Sequence, residues 1–104
     1  MVDYEARWEP DPALTEEVLS GRRVLSGLER VEAQWVVADL TARGYSSDII
    51  GAMLGCTRRH VKRIRARIEV QVMIAFAAER VARMQAQARE AEALRVAYRV
   101  MEKN

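Results

Sequence analysis

The sequence predicts an all-α chain: a tri- to tetrahelical helix-turn-helix core, then a long C-terminal helix available as a dimerisation helix. Three observations point there. Apolar residues recur at three- and four-residue spacing through most of the chain, as one face of a helix requires. The stretch SDIIGAMLGCTRRHVKRIRA, residues 47–66, fills each constrained position of a compact two-helix corner. From Arg58 onward there is no proline or glycine to stop a helix.

Residues 1–20 form an acidic N-terminal arm with a short helix. Tyr4 and Trp8 stand among acids as aromatic anchors, and Asp11 followed by Pro12 makes a cap and first turn for a helix reaching Leu19 or Ser20. Trp8 is expected to pack on the body. A sharper alternative has the acidic arm cover the basic helix when no partner is bound. Ser20, Gly21, Ser26 and Gly27 weaken helix around Arg22 to Leu25, though Val24 and Leu25 suggest that this segment packs.

Residues 21–68 form the core. Ser26 with Glu29 three residues later has the pattern of a capping box, predicting a helix from Gly27 to Arg43 that Gly44 ends. Leu28, Val31, Trp35, Val36 and Leu40 make its apolar stripe, with Trp35 as a packing anchor. Tyr45 can staple the entrance of the next helix, which Ser46 or Ser47 caps, with Asp48 near the positive end of its dipole.

Ile50 and Leu54 pair on one face of that helix, and Val61 and Ile64 on the facing side of the next. Gly51 is small because a side chain there would hold the second helix off. Gly55 suits a left-handed helix end, and Thr57 is the natural N-cap of the second helix. Six bases follow: Arg58, Arg59, Lys62, Arg63, Arg65 and Arg67, with no acid until Glu69. Such a surface seeks phosphate, and the start of a recognition helix is the part that reaches base edges in the major groove.

These residues resemble the helix-turn-helix of region 4 of bacterial sigma factors and of response-regulator DNA-binding domains, over roughly residues 28–68. The resemblance implies double-stranded DNA as partner, with Thr57, Arg58, Arg59, Lys62 and Arg63 reading bases and Arg65 and Arg67 on the backbone. The function expected is a sequence-specific transcription regulator, a repressor, of bacterial or phage origin. The alternatives are a phage DNA-packaging component like a terminase small subunit, an architectural DNA-binding protein, and a helical adaptor for an acidic protein.

Residues 69–104 are the predicted helical dimerisation region. A helix unbroken from Arg58 to the end would be about 70 Å long, beyond a compact domain whose radius of gyration is roughly 13 Å. Either it breaks near residues 68–72, or it projects and pairs with another chain. Residues 70–78 are apolar almost all round, which calls for burial on more than one side. Ile74, Ala77, Val81, Met84, Ala88, Ala91, Leu94 and Tyr98 continue the spacing as an alanine-rich seam, expected to pair two copies rather than fold back on the chain.

Composition narrows the classes. At 104 residues, half hydrophobic, the chain has material for one domain with a modest core. The acidic VDYEARWEPDP after Met1 is no signal peptide, and no apolar run approaches membrane length, so a cytoplasmic location is expected. A net charge of +2 hides an acidic start and a basic middle. Arginine outnumbers lysine 15 to 2, which suits GC-rich coding, as in an actinobacterium or its phage, or arginine's bidentate grip on guanine and phosphate. A single cysteine and a single histidine cannot close a zinc site, and Cys56 and His60 lack an evident orienting partner for nucleophilic chemistry. No enzyme activity, metal or cofactor is indicated.

Overall fold

The computed structural model describes residues 11–103. Five α-helices carry the chain: α1 Pro12–Leu19, α2 Arg30–Ala42, α3 Ser47–Leu54, α4 Arg58–Arg65 and α5 Ile68–Lys103, with a single 3-10 turn at Leu25–Gly27 between α1 and α2. The expectations for Tyr4, Trp8 and the arm's first acids lie outside the described residues.

α1 opens as its sequence dictates, with the Asp11 carboxylate accepting from the Ala13 N–H at 2.9 Å and Pro12 in the first turn, where its missing N–H costs nothing. Its inner face buries Leu14, Thr15 and Val18. A polar network fastens it to α2. The Thr15 hydroxyl donates to Asp39 at 2.7 Å, and Arg43 reaches Asp39 and Glu16, each at 3.2 Å. Burial works against the Arg43 charge, but the two carboxylates outweigh it and hold its pKa above the ordinary value.

The start of α2 departs from expectation. Ser26 lies inside the 3-10 turn, and Leu28 is extended at φ −117° and ψ 140°, so no helix can run through it. Glu29 is the N-cap instead, its N–H donating to the Glu32 carboxylate at 2.9 Å. The box lies one turn later than Ser26 and Glu29 predict, because two such pairs overlap and only the second is followed by uninterrupted helix. Of the two apolar residues before it, Leu25 packs on the core and Val24 stays 44% exposed.

α2 is the central helix. Every residue from Ala33 to Leu40 is buried, and α1, α3, α4 and α5 all pack on it. The core joins Leu14 and Val18 of α1, Val36, Val37 and Leu40 of α2, Ile50 and Leu54 of α3, and Val61 of α4, with Tyr45 packed at its edge. Trp35 is buried on another side of α2, against α5, where Phe76 tilts over it at 6.1 Å and the Arg80 guanidinium sits 5.6 Å from its ring.

The break falls just before residues 68–72, which are themselves helical, and the second half of the helix projects from the body. The chain breaks at Ala66 and Arg67, and the 36 residues of α5 then run straight on for about 54 Å. Its first part lies along α2 with Val70 and Ala77 fully buried. Val72 and Phe76 remain 67% and 49% exposed, so residues 70–78 are covered on one side only, not on several. Of the seam residues, Ile74, Ala77 and Val81 are taken up within the chain, while Met84, Ala88, Ala91, Leu94 and Tyr98 are exposed. The projecting half gives a radius of gyration of 17.4 Å and a longest dimension of 56 Å.

Candidate functional site

The corner made by α3 and α4 is built residue by residue from its sequence. The Ser46 hydroxyl accepts from the Ile49 N–H at 3.3 Å, capping α3. Gly55 ends α3 at φ 75°, the left-handed conformation that costs a glycine least. Thr57 caps α4, its hydroxyl accepting from the His60 N–H at 3.0 Å. Gly51 explains the tightness of the turn: a Cβ there would stand 2.8 Å from the Cys56 carbonyl oxygen and 3.3 Å from the Thr57 carbonyl carbon. The group it would strike is the backbone of the turn rather than a side chain of α4.

With Val61 fully buried and Ile64 half-buried beside it, the helical repeat sends the bases of α4 in two directions. Arg59, Lys62 and Arg63 point straight away from the core and are exposed. None of them pairs with a carboxylate among the described residues. Arg58 and Arg65 leave by the flank nearest α3. The Arg58 Nε lies 3.7 Å from Asp48, and Arg65 is half-buried with Nη1 donating to the hydroxyl of buried Ser47. Arg67 stands past the end of α4, in the bend before α5. Its Nε donates to Glu69 at 2.9 Å, and Gln34 of α2 donates to the same carboxylate at 3.2 Å.

The seven residues predicted to bind therefore stand on one corner but are not equivalent. Thr57 is committed to its cap. Arg65 ties α4 to α3, and Arg67 ties the α4–α5 junction to α2 through Glu69. The Arg67 bond, with the carboxylate's own backbone bond and Gln34, holds Glu69 well below its usual range, at about 2. The pair of Arg58 with Asp48 is open to water on both sides, and such pairs contribute about 0 to 1 kcal/mol, so Arg58 is readily released.

Two hollows flank the outward face. One, of about 250 Å³, is lined by Arg58, Arg59 and Lys62. The other, of about 310 Å³, has Leu25, Leu28 and Ile64 in its wall and Arg30, Arg63 and Arg67 at its rim. Arg30 is an addition that the sequence did not disclose. It opens α2, far from the basic run, and only packing brings the start of α2 beside α4.

Cys56 is half-buried at the turn, and burial pushes its thiol up, away from the thiolate that a nucleophile needs. Among the described residues no group of His, Cys, Asp and Glu could hold a metal ion, and no helix is long and apolar enough to cross a membrane. No known protein family, curated protein or solved structure matches the chain.

Proposed function

We propose that the chain is a sequence-specific double-stranded DNA-binding transcription regulator of bacterial or phage type, a repressor that lays α4 in the major groove and pairs with a second copy through α5. The observation that carries this reading is the outward face of α4. Three long cations, Arg59, Lys62 and Arg63, stand opposite the buried Val61 with no described carboxylate to neutralise them. A rigid helix is anchored by one face and offers the other as unpaired guanidinium and ammonium groups, which suits bidentate contact with guanine and point contact with phosphate. Arg58, at the first turn and weakly held by Asp48, joins them on approach to a duplex. Arg65 and Arg67 act differently, fixing the angle of α4 against α3 and α5.

The experiment is selection of duplexes from a random pool by the purified chain, with nonspecific competitor at near-physiological salt. Recovery of one sequence establishes specific recognition. Unselective recovery moves the assignment to an architectural or packaging role, and no recovery at low salt removes DNA as the partner. Where a site emerges, Arg59→Ala and Arg63→Ala should each cost about 1 to 3 kcal/mol of discrimination at one base pair, and leave the other positions unchanged.

A further inference from the structure

We infer that the projecting half of α5, residues 82–103, is one strand of an antiparallel pair formed with the same segment of a second copy. This rests on the pairing part of the reading above and is independent of DNA.

The face of α5 that α2 covers does not end where α2 does. Val70 and Ala77, both fully buried, are one heptad apart, and the same seven-residue step continues through Met84, Ala91 and Tyr98. Gln87, Leu94 and Met101 hold the alternate positions. In the single chain Met84, Leu94, Tyr98 and Met101 are 53%, 57%, 65% and 66% exposed, a line of large apolar side chains along about 26 Å of helix. The nearby charges leave this line clear, since Arg83 pairs with Glu79 and Arg95 with Glu92 on their own helix. In proteins most of a helix's stability comes from packing of its apolar face rather than from propensity, and this half is exposed at every position in the single chain.

The direction of pairing follows from α2. Two copies joined in parallel along this face would bring both α2 helices into the gap beside residues 68–81. Packed helices stand about 8–10 Å apart, which leaves no room for them. Turned end to end, the uncovered half of one helix lies only on the uncovered half of the other, and each α2 falls just beyond its partner's last turn. The side chains pair about one midpoint: Met84 meets Met101 of the partner subunit, Ala91 meets Leu94 of the partner subunit, and Gln87 meets the partner's Tyr98. Leu94 of each copy thus enters the place left by the other's Ala91. The two α5 N-termini, each directly preceded by α4, then stand about 74 Å apart along the rod. That is more than twice the spacing of about 34–36 Å between half-sites one turn apart, so the two basic helices are excluded from adjacent half-sites.

Light scattering on the unmodified chain, without DNA, should give twice 11.8 kDa, and Leu94→Glu should return it to one chain while the body stays folded. In a Cys56→Ser background, Met84→Cys protein mixed with Met101→Cys protein should form a disulfide-linked pair under mild oxidation, and neither should link with itself. Self-linking of each single variant would overturn the inference in favour of parallel strands, and a mass of one chain for the parent would overturn it outright. If the crosslinks form as expected and duplex selection recovers nothing, the pairing stands and the DNA assignment alone falls.

Discussion

The near and far halves of α5 are one unbroken helix under opposite conditions. Residues 68–81 carry Val70, Met73, Ile74 and Ala77 against α2, with Trp35 beneath Phe76 and Arg80, and the helix there is held by tertiary packing. Residues 82–103 are exposed at every position, yet keep the same seven-residue apolar step. A continuous sequence pattern therefore does not imply a continuous environment. The near half belongs to the body that positions α4, and changes there should be read as stability. The far half is free to meet another molecule, and changes there should be read as association.

The largest expected contrast uses one deletion in each region. Leu40→Ala removes a fully buried side chain of α2 and should lower the unfolding free energy by about 2 to 5 kcal/mol. Met84→Ala, in the far half, should leave the urea midpoint of the dilute chain almost unchanged and show itself only in the concentration dependence of its mass. An equal loss in both variants would mean that the far half is packed within the chain.

Next in size is the corner itself. Gly51→Ala places a methyl 2.8 Å from the Cys56 carbonyl oxygen, and shifting that backbone should cost about 1 to 3 kcal/mol by urea denaturation. DNA affinity should fall with it, because α4 is displaced as a unit. Arg65→Ala separates the two roles of the basic residues. It frees Ser47 and should lower stability by about 1 kcal/mol, whereas Arg59→Ala should leave the melting temperature unchanged and act on DNA alone. If both behave alike on stability, the division of α4 into tethers and readers is wrong.

The smallest effect concerns pH. Glu69 has its pKa lowered from 4.5 to about 2, so its contribution is complete above about pH 4.5 and is lost as pH falls towards 2. The melting temperature of Glu69→Gln should lie below that of the parent at pH 6, and the difference should close between those two values. The group is exposed, so salt should shrink the difference as well.

Much of the corner could be read directly, because its constraints are local. The caps at Asp11, Ser46 and Thr57 and the left-handed Gly55 depend on residues within a turn of each other. The start of α2 turns on a local competition too: Ser26 with Glu29 and Glu29 with Glu32 overlap within seven positions, and the extended Leu28 decides between them. The fate of residues 70–78 was different in kind. Their apolar character was plain, but whether one or several neighbours cover them depends on the direction in which α5 leaves α4.

By itself the sequence determined an all-helical chain, the two-helix corner with its small Gly51, and a run of bases uninterrupted by acid. These follow from side-chain volume, backbone preference and charge at short range. Tertiary structure decided how those bases divide. Arg59, Lys62 and Arg63 face outward, while Arg65 and Arg67 are turned to Ser47 and Glu69, and Arg30 is brought beside them from the start of α2. It also decided which part of α5 is spent on the body and which is left exposed. Those outcomes rest on which surfaces meet across long separations in the chain, and periodicity fixes only the face that a helix offers, never the neighbour that takes it.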